Sequence, residues 1–279
     1  MKFNNKQISS FDKTDASFSY SQNTKEKIKL YGYIFKQFLK HKKRTIDVIK
    51  QEWDQNTWNF FDVEKFPFAS LLNKPITNEE GTYQLEDRII RLSRKDFSEK
   101  YENRWKIILN NAVSKDTPIV ELGCGVGNKL FFLWKNGYKN LEGYDISENA
   151  IKIARKVNEK YGCNISFGVL DITQQIPLFE NKVICTFGCL EQLKHYMDSV
   201  LTKIYNAKPK AVIHFEFVKK HSTLISRMYV KSRDYQDNLF NILKKWEKEN
   251  KIIIKNVEPL RIGSPNIPLT FVEWQIISF

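Results

Sequence analysis

A glycine-rich segment between an apolar run and a helical pattern carries the strongest chemical signal in the sequence. The segment reads Glu121-Leu122-Gly123-Cys124-Gly125-Val126-Gly127-Asn128. Alternate glycines allow a tight turn and a close approach of the backbone to a ligand. A dinucleotide fingerprint would need glycine where Asn128 or Leu130 stands, and no Gly-Lys-Ser/Thr follows to form a phosphate-binding loop. The segment therefore predicts a ligand loop and argues against both of those classes.

Two acidic residues follow the next two apolar runs of the chain. Asp145 ends the run at 141–144, where a carboxylate can accept hydrogen bonds from both hydroxyls of a ribose. Asp171 and Ile172 follow the run at 165–169. There an acid can accept the amino group of an adenine, and an apolar neighbour can pack on its ring. The two acids, in this order after the glycines, predict a nucleoside-containing ligand.

In this order, the three motifs resemble those of class I S-adenosylmethionine-dependent methyltransferases, and the resemblance extends over about residues 96–279. It implies a Rossmann-like α/β fold, with a seven-stranded, mostly parallel sheet, an antiparallel last strand and helices on both faces. It also implies S-adenosylmethionine as the cofactor and no catalytic metal. The residues expected to bind the cofactor are Glu121, Gly123, Cys124, Gly125, Gly127, Asp145, Ile146, Asp171, Ile172 and Phe187.

The resemblance assigns a part of the cofactor to each motif. The glycine loop lies beside the methionine part, where Glu121 orients the loop or binds the methionyl ammonium. Asp145 holds the ribose, and Asp171 with Ile172 meets the adenine. Residues 187–192 (Phe-Gly-Cys-Leu-Glu-Gln) depart from the Asp/Asn-Pro-Pro-Tyr tetrad of members that methylate amino groups or bases. This departure favours other acceptors and resembles bacterial small-molecule and cell-surface-glycan methyltransferases.

Three residues are candidate general bases on the acceptor side. Glu191 and Glu216 follow apolar runs at the carboxyl ends of predicted parallel strands, where such sheets bind ligands. His195 lies on the helix that follows the first of these runs. The alternative for each is a solvated or ion-paired residue. The segment 219–233 holds five Lys and Arg residues, so it is either a clamp for an anionic substrate or a solvated connection.

Charge and composition limit the partners and the compartment. The net charge is +13, and residues 1–50 hold twelve Lys/Arg against four Asp/Glu, which gives +8 of that total. Such a surface attracts phosphorylated metabolites, nucleic acid or acidic lipid. The four cysteines and four histidines lack the spacing of a metal site or a disulfide framework. No signal peptide and no apolar run near the ~18 residues of a membrane span is present, which predicts a cytoplasmic location.

The spacing of apolar residues predicts the elements that position these motifs. We expect two parts: an N-terminal region over residues 1–95 and the methyltransferase domain over residues 96–279. Within the N-terminal region we expect a mobile tail (1–23), an amphipathic helix or helix pair (24–52) and an aromatic, irregular cap (53–68). Strands are predicted at 118–122, 141–145, 165–169, 182–187 and 210–217, a terminal hairpin at 252–257 and 270–278, and helices at 96–112, 128–136, 148–161, 192–206 and 237–249.

The leading functional hypothesis is an S-adenosylmethionine-dependent methyltransferase that methylates an oxygen of a polar or anionic small molecule. A sugar or a phosphorylated precursor of a surface glycan is the expected substrate class. Methylation of RNA is the alternative, because the N-terminal helix is basic and aromatic residues follow it. A third hypothesis is a catalytically silent module that binds the cofactor.

Overall fold

The computed structural model describes residues 31–32, 34–36, 38–39, 43–58, 80–86, 88–264 and 266–277. The predicted mobile tail and the aromatic residues Phe60, Phe61, Phe66 and Phe68 lie outside these residues. In chain order the strands are β1 Glu80–Leu85, β2 Arg88–Ser93, β3 Ile119–Leu122, β4 Leu141–Asp145, β5 Ser166–Val169, β6 Val183–Phe187, β7 Ala211–Phe217, β8 Ile252–Pro259, β9 Ile262–Gly263 and β10 Leu269–Ile276.

A seven-stranded sheet forms the centre of the molecule, with the strand order β5-β4-β3-β6-β7-β10-β8. The first five strands in that order are parallel, and β10 is antiparallel to both β7 and β8. Every residue of β3 and of β7 is buried, as expected for parallel strands covered on both faces. The predicted fold class is thereby confirmed. The terminal hairpin also forms, but β10 lies inside the sheet and β8 occupies its edge.

Helices cover both faces of this sheet. They are α1 Ile46–Lys50, which continues as a π-helix over Gln51–Trp58, α2 Arg94–Ala112, α3 Asn128–Lys135, α4 Glu148–Tyr161, α5 Met197–Asn206, α6 Leu224–Ser232 and α7 Leu239–Lys248. Side chains of α2, α3 and α4 form one buried cluster, and those of α1, α5 and α7 form another. Neighbouring residues of β3 alternate between them: Ile119 joins the first cluster and Val120 the second.

The N-terminal region contains helical residues within the predicted range 24–52, and two strands that the sequence did not predict. Residues 31–39, where described, are helical, and Thr45 accepts a hydrogen bond from the Val48 amide to start α1. Strands β1 and β2 form a hairpin that pairs with β9, in the register Gln84 to Gly263. This small sheet joins residues on both sides of the predicted domain boundary at 95. No helix among the described residues is long and apolar enough to cross a bilayer.

Candidate functional site

A cavity of about 250 Å³ opens at the carboxyl ends of β3, β4 and β6. This is the edge at which parallel sheets bind ligands. Nine of the ten residues predicted to bind the cofactor line the cavity: Glu121, Gly123, Cys124, Gly125, Asp145, Ile146, Asp171, Ile172 and Phe187. Gly127 is the exception; it directly precedes α3 and lies against the ring of Phe167.

The glycine loop requires glycine for conformational and steric reasons. Gly123, Gly125 and Gly127 have φ angles of 72°, 54° and 83°, in the left-handed region that other residues avoid. A Cβ at Gly123 would overlap the side chain of Cys189 from the turn after β6. A Cβ at Gly127 would lie 2.8 Å from the ring of Phe167. The two outer glycines thus allow the loop to pack tightly against neighbouring strands.

Glu121 places an unsatisfied carboxyl group in the cavity wall. It is 2% exposed, and its Oε2 atom has no hydrogen-bond partner among the described residues. Burial raises the pKa of this carboxyl well above its usual value; the nearby Lys129 opposes this shift and Asp145 adds to it. A buried acceptor without a partner is costly unless a ligand satisfies it. The carboxyl group of Glu121 could accept a hydrogen bond from an ammonium group of a ligand.

Asp145 joins the glycine loop to the start of α4. Its Oδ2 accepts a hydrogen bond from the Gly125 amide at 2.8 Å, and its Oδ1 accepts one from the Ser147 amide at 2.8 Å. Burial raises the pKa of Asp145, and these two amides oppose the rise. Ser147, whose Oγ accepts from the Ala150 amide, caps the helix. Because each carboxylate oxygen has two lone pairs, Asp145 retains acceptor capacity for a diol.

Asp171 and Ile172 form the far end of the cavity, beyond β5. The Oδ1 atom of Asp171 accepts hydrogen bonds from the amide of Thr173 at 2.8 Å and from its hydroxyl at 2.6 Å. These bonds fix the direction of the carboxylate. Ile172 is 7% exposed and contributes an apolar surface at the same end. The pair suits a flat heterocycle with an amino group.

The N-terminal segment supplies a wall that sequence reasoning missed. Ile46, Ile49 and Trp53 line the cavity. The indole N–H of Trp53 donates to Oε1 of Gln192 at 2.5 Å, so the segment is fastened to the turn after β6. At its other end, Asp54 accepts from the Ser147 hydroxyl at 2.7 Å. The sequence predicted an amphipathic helix or helix pair over 24–52 and an irregular cap from Trp53 onward, and no local signal named the surface that these residues cover.

The three candidate bases are not among the residues that line the cavity, and their role as bases stays a prediction. Glu216 is fully buried and accepts from the amides of Cys189, Leu190 and Glu191 at 3.1, 3.1 and 3.3 Å. Burial raises its pKa to about 7, although these amides oppose the rise. Its carboxyl therefore holds the turn after β6 instead of facing a ligand.

The other two candidates also lie outside the lining of the cavity. Glu191 is buried behind Gly188, and burial, with Glu216 adding to it, raises its pKa well above the usual value. His195 lies 2.7 Å from the carboxylate of Asp234. The sequence placed both near the correct strand end, but their side chains point to the protein interior and to an ion pair. Lys129, which does line the cavity, was missed because it lies outside the motif.

Comparisons with known proteins agree with this geometry. The model of the methyltransferase domain family matches residues 113–263, more than half of the chain, and the protein therefore belongs to that family. No curated protein sequence shows significant similarity to the chain. The match confirms the predicted class, an S-adenosylmethionine-dependent methyltransferase, and the residues of the cavity fit that cofactor.

Two solved structures illustrate the fold. One is the magnesium protoporphyrin IX methyltransferase of Synechocystis PCC 6803 with bound SAH, which is 15% identical, with a TM-score of 0.56 over 84% of this chain and 100% of that chain. The other is the 4+2 cyclase SpnF, which is 11% identical, with a TM-score of 0.58 over 85% of this chain and 98% of that chain. At these identities the likeness concerns the fold alone, and the acceptor must be argued from the site.

Proposed function

We propose that the protein methylates an oxygen atom of an anionic small molecule, such as a phosphorylated sugar or another precursor of a surface glycan. The observation that carries the proposal is a pair of guanidinium groups beside the turn after β6. Arg44 and Arg233 lie 5.1 and 5.5 Å from the centroid of the Tyr235 ring, and both contact the carboxylate of Glu52, at 2.7 and 3.0 Å. Planar guanidinium groups suit carboxylate and phosphate recognition.

The arginine pair is linked directly to the cofactor cavity. Arg44 donates to Oε1 of Gln192 at 2.9 Å, and Gln192 lines the cavity. The two guanidinium groups therefore lie on the side of the cavity nearest the turn after β6. Guanidinium groups beside a cavity attract anionic ligands, which favours an anionic acceptor.

The cavity supports methyl transfer mainly by alignment and by exclusion of water. S-adenosylmethionine supplies a methyl group already activated on a sulfonium, so the protein has to position the acceptor oxygen about 3 Å from it. Ile46, Ile49 and Trp53 close one side with apolar surface. An ionised phosphate or carboxylate needs no base, whereas a neutral hydroxyl does. Because none of the three candidate bases lines the cavity, an acceptor that is already ionised is favoured.

The test is a transfer assay with radiolabelled S-adenosylmethionine and separate fractions of anionic metabolites, glycan precursors, neutral metabolites and RNA. We expect label in an anionic small-molecule product, and a several-fold higher KM for that acceptor in Arg233→Gln. Lys244→Gln is the control, since Lys244 pairs with Glu247 on the exposed face of α7. Label confined to ribonuclease-sensitive material would support the RNA alternative, and bound cofactor without transfer to any fraction would support the silent module.

A further inference from the structure

The described helical residues between 31 and 39 present an apolar face to solvent. Tyr31, Phe35 and Leu39 are spaced four residues apart, which places their side chains in one row along a helix. Their exposed fractions are 42%, 65% and 74%. The space beside the row is open, since a Cβ added at Gly32 would meet no described atom within 4 Å. We call these three side chains the apolar stripe.

The apolar stripe is not the face that holds this helix to the protein. Ile34 is fully buried and Phe38 is half-buried, so these two residues make the packing side. Farther along the chain, the Arg44 amide donates to Asp234 at 3.0 Å, and its guanidinium donates to Gln192 at 2.9 Å. The segment is thus attached to the domain without the stripe. Large apolar side chains that lie together in water mark a surface that binds something.

The sequence around the apolar stripe is strongly basic. Residues 25–44 contain eight Lys and Arg residues and one Glu. Lys36, next to Phe35 in the sequence, and Lys43 are both exposed. An exposed apolar row with lysines beside it is the composition of helices that lie in the surface of a membrane with anionic headgroups. The long apolar stem of lysine allows its ammonium group to stay at the headgroups while the neighbouring side chains go deeper.

The charge distinguishes a lipid surface from other coverings of the apolar stripe. A second copy of this chain would bring two basic segments together, and their like charges would repel each other. Nucleic acid would attract the lysines, but its phosphates would not cover an aliphatic side chain such as Leu39. A bilayer with anionic headgroups offers both the negative charge and an apolar layer beneath it.

We propose that the apolar stripe docks on an anionic membrane surface, where Phe35 and Leu39 enter the boundary between headgroups and acyl chains. The docking is peripheral, since no described helix is able to span a bilayer. Leu39 is five residues from Arg44, whose guanidinium contacts the cavity residue Gln192. The docked protein therefore holds its cofactor cavity near the membrane. The inference goes beyond the proposed function and does not depend on the acceptor.

The test is flotation of the full chain with lipid vesicles. One set contains phosphatidylglycerol and phosphatidylcholine in equal parts, and the other contains phosphatidylcholine alone. At about 0.1 M salt we expect the protein to float with the anionic vesicles and to stay in solution with the neutral ones. The bound fraction should fall steeply towards about 1 M salt, because the screening length shortens from about 10 Å to about 3 Å.

A pair of double variants tests the apolar part of the docking. Phe35→Ser with Leu39→Ser should lower the partition coefficient on anionic vesicles by about tenfold or more, because two large side chains no longer leave water. Leu178→Ser with Leu224→Ser is the matched control, since these leucines are exposed to 65% and 68% elsewhere on the protein. It should leave the partition coefficient unchanged. All four side chains lie at the surface, so thermal melting should show folded protein in each case.

A second pair tests the charge. Lys36→Glu with Lys43→Glu should weaken binding to anionic vesicles by about tenfold or more, because two attractive charges beside the membrane become repulsive. Lys245→Glu with Lys248→Glu changes the net charge by the same amount at exposed positions of α7. This control should weaken binding by less than about twofold if the region around the stripe is what faces the lipid.

Three results would overturn the proposal. Equal flotation of wild type and Phe35→Ser/Leu39→Ser would mean that general electrostatic attraction, not the stripe, binds the vesicles. Absence of flotation together with dimers that this variant loses, measured by light scattering, would assign the stripe to a second copy. Absence of flotation together with a lower free energy of unfolding for the variant in urea would show that another part of the chain covers the stripe.

Discussion

Asp145 offers the sharpest test of how the cavity holds the nucleoside. The substitution Asp145→Ala removes the carboxylate at the end of β4 that contacts the Gly125 and Ser147 amides, each at 2.8 Å. We expect two separable effects. One is weaker binding of S-adenosylhomocysteine, because the ribose loses a charged acceptor. The other is a lower free energy of unfolding, because two backbone amides lose their partner.

The size of each effect follows from the hydrogen bonds involved. A hydrogen bond to a charged group contributes about 1.5 to 3 kcal/mol, so the dissociation constant should rise about tenfold to a hundredfold. The two amides also donate to this charged group, so the free energy of unfolding should fall by about 3 kcal/mol or more. Asp145→Asn should be milder on both counts, because the amide oxygen can still accept one hydrogen bond.

Titration calorimetry and urea unfolding measure the two effects separately. Asp116→Ala is the control, because Asp116 is an exposed acid that pairs with Lys139 at 2.9 Å. It should change the free energy of unfolding by less than about 0.5 kcal/mol and leave cofactor binding unchanged. If Asp145→Ala lowers stability but binds S-adenosylhomocysteine normally, Asp145 serves only to join the loop to α4, and the placement of the ribose is refuted.

Three other substitutions test the walls and the buried acid. Gly123→Ala should abolish cofactor binding in calorimetry, because the added methyl group would overlap the side chain of Cys189. Gly162→Ala is the control, since Gly162 has a similar φ of 61° but open space around it. This control variant should lower the free energy of unfolding by about 1 kcal/mol and bind the cofactor normally. Asp54→Ala removes two hydrogen bonds to the first turn of α4, so the free energy of unfolding should fall by about 1 to 2 kcal/mol. The stability of Asp54→Asn should be closer to that of wild type. Equal stability of Asp54→Ala and wild type would contradict this prediction. Burial raises the pKa of Glu216 from 4.5 to about 7 in the folded protein, so as the pH rises the unfolded chain loses this proton at a lower pH than the folded protein does. The protonated Glu216 therefore contributes to the free energy of unfolding below pH 4.5, and this contribution is lost as the pH rises through 7. Urea unfolding at pH 5 and pH 7.5 should therefore show a smaller decrease for Glu216→Gln than for wild type, and equal decreases would rule the mechanism out.

The sequence brings most of the predicted cofactor residues to one cavity because their positions are encoded locally. Each motif residue stands at a strand end or in the turn that follows, and the alternation of apolar runs with helical spacing places all these ends at one edge. Gly123 and Asp145 could thus be assigned from their neighbours in sequence. The sequence assigned Gly127 to the ligand as well. In the structure, glycine is needed there because the loop packs closely against the ring of Phe167.

The other walls of the cavity depend on contacts between distant parts of the chain, which local patterns do not show. Trp53 lines the cavity, and its indole donates to Gln192, which lies far along the sequence. Glu216 ends the correct strand, but its side chain turns towards three backbone amides, a geometry that no local pattern reveals. Strands β1 and β2 were missed for a similar reason, since β1 pairs with the distant β9 and its own residues are largely polar.

Binding of S-adenosylhomocysteine to the wild-type protein tests the central claim most directly. Titration calorimetry should show saturable heat at a one-to-one ratio, and the melting temperature should rise with ligand concentration because the ligand binds the folded state. Nicotinamide dinucleotides should give neither effect, since the loop lacks their glycine pattern. No heat of binding and an unchanged melting temperature at millimolar S-adenosylhomocysteine would contradict the assignment of the cavity as a cofactor site.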